Sequence, residues 1–286
     1  MKIQKDMIIL TAGICLLLGF YPQVAIGKKA TNSIFPKDFS EKEAFALVDG
    51  FEKAYMDKDS EKLATYVDKK ATFVDDSFST FLERLTSEFQ VFDTIRFYHQ
   101  GIRAVEYEKG QIIVIQHTIR VSYGRTQCDY SDYFNGYFIK KIGGQYKIVS
   151  YNFLPHEDFE LVRKGEEAWS NNDLVKAASY YVGAIEKNNE NSVAYARLGC
   201  VYAAMIKPDE AIQNLKKAVE LAPDVGFSRF LLSLVYDLFG KNEEAAEQMQ
   251  KAIEADPGID SLSKMKLTAE EVPETDSIET KLTQIE

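Results

Sequence analysis

His99, His117, Asp129, Tyr130, Asp132 and Tyr133 are the side chains of this sequence best suited to acid–base chemistry. Imidazole titrates near neutrality, so it can take or give a proton at working pH. His117 stands between Ile115 and Ile119, in a stretch where apolar residues alternate. A bulge at the Lys109-Gly110 turn would set the odd-numbered residues of the two flanking strands on one surface: Phe97, His99, Val105, Ile113, Ile115, His117 and Val121. A plain two-residue turn would put His99 and His117 on opposite faces, because side chains alternate along a strand. In the first register the two histidines could serve as acid and base in an apolar cup. The alternative, better supported, is that a histidine on an apolar strand face is a hydrogen-bonded core residue. The rest of the sequence favours a non-enzymatic protein, with catalysis by His99, His117, Asp129 and Tyr130 as the alternative.

No G-x-S-x-G elbow, H-E-x-x-H helix or phosphate-binding glycine loop occurs. With three histidines and three cysteines, one of them (Cys15) in the apolar N-terminal segment, no metal site and no cofactor are expected. Asp75-Asp76 could meet a cation, but carboxylates before a helical segment are expected to cap it. A formal net charge of −10 and the lack of a basic patch exclude a general nucleic-acid binder.

The elements that would position these groups begin with an amphipathic helix over Phe39–Lys58, with Ala44, Leu47, Val48, Phe51, Ala54 and Tyr55 on one stripe. A short helix follows from Asp59-Ser60 to Tyr66, then a strand at Ala71–Val74 and a helix at Phe78–Phe89. The period then changes to two. Strands are expected at Thr94–Glu108, Gln111–Thr126, Asp129–Ile142 and Gln145–Phe153, with turns at Lys109-Gly110 and Gly143-Gly144. Helices followed by an antiparallel meander make an α+β domain over residues 28–155. This order resembles the nuclear transport factor two-like superfamily, through Phe51-Glu52-Lys53-Ala54-Tyr55-Met56-Asp57-Lys58-Asp59 and the ending Gly144-Gln145-Tyr146-Lys147-Ile148-Val149-Ser150. The resemblance implies a cone, a curved sheet wrapped around helices, which in that group serves isomerases, dehydratases, hydrolases and non-catalytic modules alike. It therefore leaves a small ligand in the cone pocket open. A cystatin-like fold with one helix is the competing architecture.

Ahead of this domain, Lys2 and Lys5 precede an uncharged run from Met7 to Gly27 that ends in Ala25-Ile26-Gly27. A basic start, an apolar core and small residues at the end describe a secretory signal over residues 1–27. The run is also long enough for an uncleaved anchor, giving membrane association through residues 7–27. Both readings export the protein, to the periplasm or beyond the cell.

After a short linker, three stretches superimpose with a shift of 34 residues: 158–191, 192–225 and 226–259. Gly165 meets Gly199 and Ser233; Ala177 meets Ala211 and Ala245; Ala184 meets Ala218 and Ala252; Asn189 meets Pro223 and Pro257. A fixed period of this kind marks a helical solenoid. Tyr195, Leu198, Gly199, Tyr202, Ala211, Leu215, Ala218 and Pro223 make the central unit resemble a tetratricopeptide repeat. Small residues at Gly199 and Ala211 let two antiparallel helices approach, and Pro223 stops the second. An all-α solenoid thus follows the α+β domain. Residues 260–286 are expected to hold a capping helix at Ser261–Glu271 and an acidic, frayed tail.

The resemblance implies protein binding in a groove lined by the first helix of each repeat. Carried onto this chain, the groove positions include Phe159, Val162, Glu166, Trp169, Val193, Ala196, Cys200, Phe227, Phe230, Leu234 and Leu238. This surface is largely apolar and lacks the Lys and Asn clamp that holds a terminal carboxylate in some chaperone-binding repeats. A protein or peptide partner anchored by large side chains suits it better.

Overall fold

The computed structural model describes residues 36–262, apart from 75, 109–110, 125–127 and 155. Residues 1–27, expected to be an export signal or anchor, the Lys109-Gly110 turn and 263–286 lie outside the described residues.

Helix α1 (Glu41–Met56) opens on a capping box. The Glu43 amide donates to Ser40 Oγ at 3.3 Å and the Ser40 amide to Glu43 Oε2 at 2.7 Å, which satisfies two amides that have no partner inside the helix. Its stripe of Ala44, Val48, Phe51, Ala54 and Tyr55 is buried. The chain then reverses through Lys58 at φ 58° into α2 (Ser60–Thr65) and β1 (Val67–Phe73). Strand β2 (Asp76–Ser77) leads into α3 (Phe78–Val91). The cap of α3 is Ser77, whose side chain accepts from the Thr80 amide. The expected Asp75-Asp76 cap is therefore displaced by one residue, and Asp76 instead pairs with Arg84 at 2.6 Å.

Four long strands follow: β3 (Thr94–Glu108), β4 (Gln111–Tyr123), β5 (Cys128–Ile142) and β6 (Gln145–Leu154). The sheet order is β2-β1-β6-β5-β4-β3. Strand β1 is longer than Ala71–Val74 and runs parallel to β6, pairing Val67 with Ile148 and Phe73 with Tyr151, so the sheet is mixed rather than a pure meander. One face packs on α1 and α3 around Phe51, Phe73, Phe78, Leu85, Ile95, Val114, Ile139 and Ile148.

Helices α4 (Glu157–Ser170), α5 (Leu174–Lys187), α6 (Ser192–Ala204), α7 (Pro208–Leu221), α8 (Gly226–Leu238) and α9 (Asn242–Ala255) form three antiparallel hairpins. A Cβ on Gly165 would stand 2.5 Å from the Tyr181 ring, and one on Gly199 would stand 2.7 Å from Leu215 Cγ. Close approach at equivalent places therefore requires glycine in the first two hairpins. The turn inside each hairpin has its left-handed residue at the same place in the period: Asn172 at φ 60°, Ile206 at φ 60° and Gly240 at φ 72°.

Strand β4 records how the two halves meet. Its inner-facing Ile112 and Val114 are buried while Ile113 and Ile115 are half-buried, but from Gln116 to Ile119 every residue is buried. A strand covered on one face alternates, and a strand covered on both does not. The second cover is the repeat array. Ile119, Val121, Tyr123 and Tyr130 belong to one apolar cluster with the inner faces of the repeat helices.

Candidate functional site

The first helix of each hairpin meets the sheet, through Phe159, Ser192 and Ser228. From the sheet side, Gln100 Nε2 donates to the carbonyls of Glu190 (2.9 Å) and Leu221 (3.2 Å), and Gln100 Oε1 accepts from Ser192 Oγ at 2.9 Å. Tyr130 Oη shares a hydrogen bond with Ser228 Oγ at 2.9 Å, and Arg197 Nη2 donates to the Tyr130 carbonyl at 2.5 Å. Tyr123 Oη donates to Asp256 Oδ2 at 2.7 Å. Rings of His117 and Phe134 lean on Phe159 of α4 at 5.2 and 5.4 Å, and Tyr130 leans on Phe227 of α8 at 5.1 Å.

The groove positions divide accordingly. Val162, Trp169, Val193, Ala196, Cys200, Phe227 and Phe230 are buried in the cluster shared with the sheet. Phe159, Glu166, Leu234 and Leu238 are part-exposed. Tyr130 and Phe134, not a foreign peptide, supply the large side chains on Phe227 and Phe159. The sequence names the groove positions but carries no local signal that the sheet would cover them.

The polar candidates separate onto two faces of the sheet. His99 pairs with Thr118 and His117 with Phe134 in the strand register, so the two histidines point to opposite sides. The shared odd-numbered surface is therefore not formed, and a further register shift between His99 and Arg103 separates the two ends of β3. His117, Tyr130 and Asp132 face the repeats. His99, Asp129 and Tyr133 face α1 and α3.

On the repeat side, His117 Nε2 lies 3.1 Å from Asp132 Oδ2, and the Asp132 side chain is fully buried. Burial pushes the Asp132 carboxyl above the ordinary carboxylate range, against the hydrogen bond from His117, which lowers it. Across the contact, Glu166 pairs with Arg197 at 3.0 Å and is likewise raised, by loss of solvent first. Asp129 Oδ1, Asp132 Oδ1 and Arg197 Nε are buried and have no hydrogen-bond partner. Asp158, fully buried, accepts from Asn188 Nδ2 at 2.8 Å and Asn191 Nδ2 at 3.1 Å, and contacts His156 Nδ1. It thereby ties the start of the first hairpin to the start of the second.

On the helix side stands a group that sequence reading overlooked. Glu52 of α1 is buried; its Oε1 accepts from Gln116 Nε2 at 2.6 Å and Tyr137 Oη at 2.8 Å. Its Oε2 lies 3.0 Å from His99 Nε2. Burial and the Glu52 charge push the Tyr137 phenol well up. Gln116 also meets Arg103 Nε at 3.1 Å, and Arg103 pairs with Asp49. The sequence signal was Glu52 itself, a carboxylate between Val48 and Tyr55 on an otherwise apolar stripe. Asp49, Glu52 and His99 bring one ligand atom each within 4.8 Å of one another, a spacing compatible with a cation. Asp49 already holds the Arg103 guanidinium. Farther along the same face, Arg120 pairs with Glu88 and lies 3.8 Å from Asp129. Cys128 and Cys200 are free thiols, both raised by burial, Cys200 to about 11. Among the described residues no helix is long and apolar enough to cross a membrane.

Comparison with known proteins bears on the second half of the chain. A tetratricopeptide repeat family model matches residues 192–225 and 228–259. Hsp70-Hsp90 organizing protein 2 of Arabidopsis thaliana is 34% identical over 67 residues, which are 23% of this chain and 12% of that protein. DnaJ homolog subfamily C member 3 of Gallus gallus is 40% identical over 60 residues, 21% of this chain and 12% of that protein. Among solved structures, the Sgt2 TPR domain from Aspergillus fumigatus is 21% identical with a TM-score of 0.36, covering 43% of this chain and 89% of that one. The second TPR of Spaghetti (RPAP3), bound to an HSP90 peptide, is 16% identical with a TM-score of 0.34, covering 35% and 94%. The C-terminal half of this chain carries tetratricopeptide repeats, set behind a strand-rich N-terminal region.

Proposed function

We propose that this protein is an exported, non-enzymatic adaptor whose tetratricopeptide repeats hold a protein or peptide partner. The observation that carries the reading is the repeat array itself, an architecture built to present a continuous surface to other chains. One relative that shares the repeats is named an Hsp70-Hsp90 organizing protein. Here the concave positions are apolar, so an apolar segment suits them better than an acidic chain terminus. Leu234 and Leu238, part-exposed on α8, are accessible apolar positions of that face. Export rests on the basic start and apolar run of residues 1–27. The sheet wrapped on α1 and α3 is read as a nuclear transport factor two-like cone.

The test is capture from envelope extract. Intact protein and the Leu238→Ser variant are compared, with circular dichroism as the check on folding. A specific partner held by the intact protein and lost by a folded variant supports the reading. Capture indifferent to Leu238, by a folded variant, removes the groove from it.

The Glu52–His99 pair favours a second reading, a small molecule or a proton-transfer reaction at that pair in the N-terminal domain. A buried carboxylate fixed by two donors and facing a part-exposed imidazole is the arrangement an acid–base pair needs. Retained binding or turnover of a small substrate after Glu52→Gln and His99→Ala would remove it.

A further inference from the structure

The seam between sheet and repeats holds more carboxyls than cations. Asp132 and Tyr130 on β5 face it, with His117 from β4. Asp158 and Glu166 come from α4, Tyr181 from α5, and Arg197 and Cys200 from α6, while His156 stands at the linker. At the strand edge Asp129 lies near Arg120, which is already tied to Glu88 of α3. Arg197 alone answers Glu166 and the Tyr130 carbonyl, and its Nε is left over, as is Oδ1 of Asp132. Unpaired buried carboxylate oxygens are costly when charged and much less so when protonated. The same seam covers the groove positions Val162, Val193, Phe227 and Phe230.

We propose that the seam is a proton-dependent latch, closed while its surplus carboxyls hold protons and opened when they lose them, so that the full concave face is offered to a partner only in the open form. The sign follows from the carboxyls. Asp132 and Glu166 hold protons more tightly when buried than when exposed. Such groups favour the closed arrangement below the ordinary carboxylate range, near about 4, and lose that contribution as pH rises through their raised values.

The latch builds on the adaptor reading, and its experiment separates the two. Hydrogen exchange is measured on the intact protein at about pH 5 and about pH 8, corrected for intrinsic rates. Trp169, the only tryptophan, reports by fluorescence. Protection of α6, α8 and β5 should fall as pH rises through the raised values of the two carboxyls. Helicity by circular dichroism should hold, and Trp169 emission should move to the red. In Asp132→Asn/Glu166→Gln both changes should be lost. Should that double variant fail to fold, Glu166→Gln alone, whose side chain is 32% exposed, must narrow the change. Protection that is flat across the range overturns the latch, and so does a fall that persists undiminished in the variants. Opening with no partner captured in either form leaves the opening standing and removes the adaptor reading; a flat profile with capture does the reverse.

Discussion

In the repeats, a residue 34 places further on does the same job. Gly165 and Gly199 each let a facing side chain in, and Asn172, Ile206 and Gly240 each turn the chain through the left-handed region. In the N-terminal region no position has a counterpart. Phe73 stacks on Phe81 at 4.4 Å and packs on Phe51, Phe78 and Tyr151, contacts gathered from α1, α3 and β6. The difference lies in how far along the chain a residue finds its neighbours. Repeat contacts are local and recur, so a mutation there is read against two other copies. Sheet contacts are long-range and unique, so each must be placed by the whole domain.

The comparison breaks most visibly at Phe73. Phe73→Ala empties a site that is 1% exposed and should cost about 3–5 kcal/mol in urea denaturation of the intact chain. A loss under about 1 kcal/mol would mean the aromatic stack does not organise that domain. Ala211, fully buried against the Gly199 helix, tests the repeat side. Ala211→Leu should cost about 1–3 kcal/mol by overpacking, and an unchanged thermal midpoint would contradict the hairpin geometry. Tyr130→Phe removes only the hydroxyl that meets Ser228. It should lower stability by about 1 kcal/mol; no change by denaturation would separate the two halves energetically. The smallest effect has the opposite sign. Ile206 is β-branched, left-handed and 80% exposed, a conformation that costs an ordinary residue about 1–2 kcal/mol. Ile206→Asn should raise the midpoint by up to about 1 kcal/mol, because asparagine tolerates that conformation and little packing is lost. A lower midpoint would show that the exposed isoleucine has a contact worth more than its strain.

Much of the architecture was legible because it is local. Strand β3 runs over Thr94–Glu108 as its alternation predicts, and β6 extends one residue past Phe153. The hairpins were legible because small residues recur at the crossing points. The left-handed turn positions were not, since asparagine, isoleucine and glycine share no chemistry that a pattern would catch. The parallel pairing of β1 with β6 joins segments some 80 residues apart, and no local period encodes it. The faces of His99 and His117 hinged on a turn whose geometry glycine leaves open. Glu52 was legible in principle, as a charge on an apolar stripe, but its partners on β4 and β5 were not. Nor does either half announce the other: His117, Tyr130 and Asp132 look like pocket residues until the repeats are set against them.

The seating of the sheet has a mechanical consequence. A row of helical hairpins joined only to its neighbours is a spring, whose curvature changes cheaply when something pulls or pushes on its ends. In this chain Gln100, Tyr130 and Tyr123 fasten one stiff plate to Ser192 in the second hairpin, Ser228 in the third and Asp256 just after α9. Phe159 of the first hairpin leans on the same plate. While the seam is closed, a spring splinted along its length keeps one radius, and a load on either end passes into the sheet instead of unwinding the coil.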